Sequence, residues 1–302
     1  MREASKMSAK GNCNTCRPGI IMIERNDSQY PQQLRMIADP PERLYCIGDV
    51  SLLEMPMAAV IGSRKCSEYG KQTAMAVGKS LGMAGACVVS GMAKGIDSFG
   101  HLGALKHGGK TIAVLGCGVD ICYPAENRKL YEQICCDGLM ISEYPPGTAP
   151  MPYMFPQRNR IIAGLCSVIA VIEAGRDSGA LITAGLAEDF GRDVFAVPGN
   201  ITSMWSLGTN KLIADGAMPV VTVDDVVRAM GLDAQHSEKE YEGLSELEKQ
   251  IVILVKAAGE VTLEYLCTKM KMNPVDMNGI VMVLEMKGYL ATNFGKIFVA
   301  KF

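Results

Sequence analysis

The sequence predicts an α/β chain: a doubly wound domain around a mostly parallel sheet, then a small domain of three helices and a terminal hairpin, the winged-helix arrangement. Three observations predict it. Between about Ala58 and Val221, short β-branched runs alternate with helix-length segments, which requires right-handed crossovers between parallel strands. Several of those runs end in glycine-bearing or basic loops, as strand ends do in open parallel sheets. A polar, charged tract over 231–243 then reads as a linker before a last segment with its own capping signals.

The elements follow in order. Residues 1–19 are polar, lack the apolar core of a signal peptide and read as a flexible N-terminus. Residues 20–56 are a proline-bearing preamble with turns at Tyr30-Pro31 and Asp39-Pro40-Pro41 and an edge strand at Leu44–Ile47. Ala58–Ile61 is the first core strand; it ends at Gly62, and Ser67 caps a helix running to Met83. Cys87–Val89 follows, then a loop and a helix from about Asp97, which itself reads as the cap. Thr111–Leu115, Leu139–Ile141, Val168–Ile172 and Val194–Val197 complete the strands of a main domain over 20–230. In the small domain, 244–302, Ser245-x-x-Glu248 is a capping box opening a helix to about Ala257. A second helix starts at Thr262, a third at Pro274, and apolar alternation around Asn293-Phe294-Gly295 makes the hairpin.

Composition narrows the function. Hydrophobic residues at 48% suffice for a substantial core. A net charge of −2 excludes a protein that tracks nucleic acid with its whole surface, so a polyanion site must be a local cluster of cations and backbone amides. The longest apolar stretches are strand-length, so the expected place is the cytoplasm and no membrane partner is expected. Of 11 cysteines, most lie in apolar runs, as Cys87, Cys117, Cys135, Cys136 and Cys166 do, where a thiol is a small hydrophobe. Only Cys13 and Cys16 have C-x-x-C spacing, and with no second pair no metal site is expected.

The chemistry-bearing residues gather in the loops. Gly62-Ser63-Arg64 closes the first strand. Gly62 lets the backbone approach a ligand or merely makes a tight turn; Arg64 clamps a phosphate or stays solvated, and this segment alone does not decide. Ser90–Asp97 carries two glycines and Lys94 as a second anion cradle, with His101 one turn beyond. No G-x-S-x-G elbow supports a Ser/His/Asp scheme, and the lone Gly116-x-Gly118 is too little for a dinucleotide cofactor, so none is expected. Arg128 and Lys129 reach a phosphate or line a solvated helix face. Arg158-Asn159-Arg160, with Phe155 nearby, has the guanidinium and amide chemistry that suits phosphates and base edges. Ser178 and Thr183 lie at another helix start, and Asn210-Lys211 at one more. Glu143 and Glu173 sit near strand ends without a histidine or metal-ligand partner in sequence. His107 and His236 read as surface residues, and the single Trp205 as a core or interface residue. Together the loops favour an extended polyanion groove.

Taken in order, these loops resemble the DprA/Smf family. The resemblance is carried by Val60–Arg64, Ser90–Asp97, Ala113–Asp120 with Tyr123-Pro124, and Phe155–Gly164. It continues through Val171–Ala174, Ser178–Ala184, Val197–Gly199 and Gly208–Ile213, over about residues 20 to 230. It implies an extended Rossmann-like domain, without catalysis, that binds single-stranded DNA, forms a homodimer and helps load RecA onto incoming DNA in natural transformation. By position it implies Arg64, Asn159, Arg160, Ser178, Thr183 and Lys211, with Arg128 and Lys129 in a variable loop; the loop readings add Gly62, Ser63, Lys94, Arg158 and Asn210 to the expected DNA-binding set.

Two rival readings remain. Related Rossmann-like enzymes hydrolyse nucleotides with a P-G-G-x-G-T-x-x-E segment, and Glu173–Thr183 has no such glycine run followed by glutamate. A regulator binding DNA through its winged helix would use the helix from Pro274 to Met286, which carries Asp276 and Glu285 with only Lys287 at its end.

Overall fold

The computed structural model describes residues 19–233 and 243–300. The expectations for the segment before Gly19, with Cys13 and Cys16, for His236 and for most of the 231–243 tract lie outside those residues. The chain divides into two compact units, one through Gln235 and one from His236.

The first unit opens with β1 (Ile21–Glu24), a short α1 (Gln32–Arg35) and β2 (Arg43–Gly48). The crossovers then run β3 (Met57–Ile61), α2 (Glu68–Met83), β4 (Cys87–Ser90), α3 (Ile96–Leu105), β5 (Lys110–Leu115), α4 (Arg128–Asp137) and β6 (Leu139–Ser142). They continue with α5 (Met154–Leu165), β7 (Val168–Val171), α6 (Gly179–Asp189), β8 (Asp193–Ala196), α7 (Leu207–Asp215), β9 (Met218–Pro219) and α8 (Asp225–Ala229). They build one 9-stranded sheet of order β1-β2-β6-β5-β4-β3-β7-β8-β9. From β6 across to β9 every pairing is parallel; β2 runs antiparallel to β6 and β1 antiparallel to β2.

Both sheet faces are covered, which is why β3, β4 and β7 are buried at every position. Ile161, Ala184 and Leu34, from α5, α6 and α1, pack on one face against Ala59, Val89 and Ile169. Val77, Ala104 and Val226, from α2, α3 and α8, pack on the other against Ala58, Val88 and Ala170. This is the extended Rossmann-like, doubly wound architecture expected of the sequence. The strand order reverses between β3 and β7, because successive crossovers step outward to β6 and the chain then returns across β3. In open α/β sheets that reversal opens a crevice at the strands' carboxyl ends.

Of the two caps expected in this unit, one forms and one does not. Ser67 caps α2, its hydroxyl accepting from the Gly70 N–H at 3.0 Å. Asp97 does not cap α3: Gly95, at φ 80°, takes the cap position, and the Asp97 carboxylate instead accepts from the N–H groups of Gly91 at 3.1 Å and Ala93 at 3.4 Å.

The second unit holds α9 (Glu246–Ala258), β10 (Glu260–Thr262), α10 (Leu263–Met270), α11 (Pro274–Met286), β11 (Leu290–Asn293) and β12 (Lys296–Val299). The Ser245–Glu248 capping box forms, Thr262 caps α10, and Pro274 opens α11 behind an Asn273 cap. Ile251, Leu266, Val281, Leu284 and Ile297 form its core. The three helices and terminal hairpin are as read from sequence; β10, which pairs with β12, is additional.

Candidate nucleic-acid interface

A crevice of about 460 Å³ lies at the reversal point, where the loops after β3 and β7 meet the N-terminal half of α5. Its wall includes Gly62, Ser63, Arg64 and Lys65 after β3, Ser178 and Thr183 at the start of α6, and Phe155, Arg158 and Asn159 on α5. Met204 and Trp205, from the loop after β8, close another side.

The β3 loop is fixed by its own chain. A β-carbon at Gly62 would stand 2.7 Å from the Glu173 carbonyl oxygen, so this glycine permits a close approach of β7's end rather than of a ligand. Ser63 donates its N–H to that same carbonyl at 2.8 Å. Arg64 then projects outward. Among the described residues no ion pair engages it, and its guanidinium lies 5.6 Å from the centre of the Phe155 ring. Phe155 stacks in turn on Tyr123, with ring centres 5.2 Å apart and planes 28° apart. A cation over an aromatic pair, beside an open crevice, can hold a phosphate while a planar base stacks next to it.

The Arg158-Asn159-Arg160 segment splits three ways. Arg158 is 5% exposed and donates to the carbonyls of Gly91, at 2.9 Å, and of Val114, so its fork joins the ends of β4 and β5 beneath the crevice. Burial pulls its pKa down to about 10, and Asp97 pulls it back up. Burial also raises the Asp97 carboxyl, against the pull of Arg158. Asn159, on the crevice wall, donates to the Gly179 carbonyl at 3.4 Å. Arg160 faces a separate polar cavity of about 670 Å³, with Arg25, Arg43 and Glu24. There it is bidentate to Glu143 at 2.9 and 2.7 Å and reaches Asp39 at 3.0 Å.

The remaining expected residues do not line the crevice. Lys94 pairs with Glu126 at 2.5 Å, Arg128 lies 4.0 Å from Glu132, and Lys129 is exposed on α4. Asn210 is spent inside the fold, exchanging hydrogen bonds with both backbone groups of Gly199 at 3.1 and 3.0 Å. Lys211 is exposed on α7 and pairs with Asp215 at 2.8 Å. The expectation that Arg64, Arg160 and Lys211 share one trough is therefore corrected: of these cations, Arg64 alone lines the crevice. Within it, Ser178 is half-buried as the α6 cap, while Thr183 is only 2% exposed.

Sequence reasoning missed Trp205, Met204, Lys65 and the Tyr123–Phe155 stack. The one available signal was position, since Trp205 follows the end of β8 as the basic loops follow theirs. His101, set aside as a catalytic base, is fully buried: its Nδ1 is 2.6 Å from the Thr111 hydroxyl, which donates to the Val88 carbonyl. Glu173, 3% exposed, binds Ser67 at the start of α2. Among the described residues no histidine, cysteine and carboxylate groups gather as a metal site, and no helix is long and apolar enough to cross a membrane.

Residues 21–231 match the family described as DNA recombination-mediator protein A. The DNA processing protein DprA of Streptococcus pneumoniae (strain ATCC BAA-255 / R6) is 47% identical over 201 residues, 67% of this chain and 71% of that protein. A putative DNA processing protein DprA of Mycobacterium tuberculosis (strain ATCC 25618 / H37Rv) is 35% identical over 299 residues, 93% of this chain and 77% of that protein. Among solved structures, that of DprA from Streptococcus pneumoniae superposes with a TM-score of 0.67 at 43% identity, covering 72% of this chain and 75% of that one. A DNA processing protein A from Helicobacter pylori, described for its single-stranded DNA binding mode, superposes with a TM-score of 0.64 at 31% identity, covering 70% and 95%.

Proposed function

This chain belongs to the DNA recombination-mediator protein A family, and from that premise we propose that it binds single-stranded DNA in the crevice between β3 and β7. The observation that carries the proposal is Arg64: a cation with no carboxylate partner among the described residues, held over the Phe155 ring at the mouth of the crevice. A single strand needs a cation for its phosphates and flat apolar faces for its bases, and stacking is worth about 1–3 kcal/mol per base. Arg64, Lys65, Phe155 and Trp205 supply both without requiring the basic surface that a net charge of −2 rules out. Lys211, outside the crevice and paired with Asp215 on its own helix, is a second contact whose support is the family resemblance of Gly208–Ile213.

In this reading no bond is made or broken. The bound strand is passed to RecA, and the chain works as a homodimer in the cytoplasm; family membership is the support for these finer points. A hydrolytic role for Glu173 is disfavoured, because its carboxylate is spent on the start of α2. The second unit reads as a winged helix by its order of elements. Its α11 presents Val275, Met282 and Met286 to solvent rather than cations, which favours contact with protein over contact with DNA.

The test is a gel-shift comparison of single- and double-stranded DNA across a salt series. Arg64→Ala is expected to weaken binding to every sequence and to flatten the log–log salt slope by about 0.7, one single-strand phosphate contact. Lys211→Ala is expected to remove a similar increment. Unchanged affinity of Arg64→Ala at low salt would overturn the proposal.

A further inference from the structure

In a doubly wound fold the helix leaving the first strand at the reversal point points its N-terminal amides at the ligand, and nucleotide phosphates settle there. In this chain that helix is α2, and an anion from the protein itself already occupies the position. Glu173, just beyond β7 and 3% exposed, turns its carboxylate onto Ser67. Oε2 accepts from the Ser67 N–H at 2.9 Å, and Oε1 accepts from the Ser67 hydroxyl. The same hydroxyl accepts from the Gly70 N–H at 3.0 Å, so these donors at the helix start are taken. A β-carbon at Gly70 would stand 2.3 Å from the Glu173 carboxyl; the first turn is cut away to admit it. The Glu173 carbonyl meanwhile accepts from the Ser63 N–H, so one residue ties both ends of the Ser63–Ser67 loop to β7.

We propose that Glu173 is a specificity-determining residue, an internal anion in the phosphate position of α2. It closes the start of α2, next to the crevice loop of Ser63–Lys65, to nucleotide phosphates and leaves Arg64 and Lys65 to a phosphodiester strand passing outside. The proposal rests on the single-strand reading of the crevice. Its physics is charge exclusion: a buried carboxylate at the start of α2 repels a second anion and already holds the Ser67 N–H and hydroxyl that such an anion would use. It separates a polymer ligand, which can use cations spread along the surface, from a mononucleotide, which needs the cradle.

The test uses the full chain as native protein, Glu173→Ala and Glu173→Gln, with thermal melting to establish that each is folded. Calorimetric titration with ADP and with inorganic pyrophosphate reads the cradle, and a gel shift with oligothymidylate reads the strand site. Native protein is expected to give no saturable ADP or pyrophosphate binding. Glu173→Ala is expected to bind both saturably, at least about tenfold more tightly than the weakest binding the titration resolves, because charge and plug are gone. Glu173→Gln, of nearly the same shape but neutral, is expected to gain less, and it carries this arm if the alanine variant does not fold. Oligothymidylate affinity is expected to fall in Glu173→Ala as the Arg64 loop loses its tether. A structural role alone would lower stability without creating an anion site. Native protein that binds ADP as tightly as the variants, or folded variants that ignore ADP and pyrophosphate as native protein does, would overturn the proposal. Native protein that fails to shift oligothymidylate would remove the single-strand reading, while the ADP and pyrophosphate titrations still decide the role of Glu173.

Discussion

Asp97, His101 and Arg158 are three buried polar side chains, and the Arg158 charge acts on both of the others; Asp97 and Arg158 border the crevice, whereas His101 lies deeper, against Thr111. His101 is the one whose protonation the fold forbids. Thr111 commits its hydroxyl hydrogen to the Val88 carbonyl and so accepts from His101 Nδ1, which leaves Nε2 as a lone pair without a partner among the described residues. Burial, and then the nearby Arg158 charge, hold its pKa at about 3 against an ordinary 6.5. The unfolded chain takes up this proton near pH 6.5 and the folded chain not until about pH 3. The stability that the neutral ring contributes is therefore complete above pH 6.5. It is lost as the pH falls toward 3, by about 1.4 kcal/mol per pH unit within that window. His101→Asn keeps a donor near Thr111 and removes the titrating ring, so urea unfolding at pH 7 and at about pH 4.5 should show it losing less stability on acidification than the native chain. Identical losses would refute this account. The sequence could not separate Arg158, Asn159 and Arg160, which look alike as a string. Consecutive helical residues turn by about 100°, so one basic tripeptide had to divide among crevice floor, crevice wall and the Glu143 cavity.

Among the elements, α2 and α3 pack closely enough that their glycines are structural. A β-carbon at Gly78 would stand 2.3 Å from the Gly100 carbonyl oxygen, and one at Gly103 2.3 Å from that of Met75. These contacts are backbone, so neither partner can rotate away. Gly78→Ala is expected to destabilise the chain by about 1–3 kcal/mol through overpacking, seen as a lower melting midpoint; an unchanged midpoint would show that the helices part without cost. The same clasp holds the loops that follow β3 and β4 side by side. Most elements were legible because their signals are local: β-branched runs for the buried strands, Ser67 and the Ser245–Glu248 box for helix starts. β1 was not, since three of its four residues are exposed and Ile21 and Met22 break any alternation between faces. β9 has only two residues, too few for a pattern. Asp97 misled because a carboxylate near a helix start is the commoner cap, whereas Gly95 reaches φ 80° and takes that place.

Over the whole molecule, strand order decides which loops become neighbours, and order is not written in any single segment. The sequence placed the site at strand ends, which is correct for any open parallel sheet. It could not choose among those ends. The return of the chain across β3 brings the Arg64 loop against the start of α6, while Lys94 and Arg128 stay with the outward-stepping strands. That return also sets Trp205, the 1 tryptophan of the chain, half-buried on the crevice wall. Light absorbed by the indole is therefore re-emitted from one known place. A saturable change in tryptophan emission is expected as an unlabelled oligothymidylate is added, following the same isotherm as the gel shift. Emission that stays flat while the gel shift saturates would mean that the strand passes this wall without touching it.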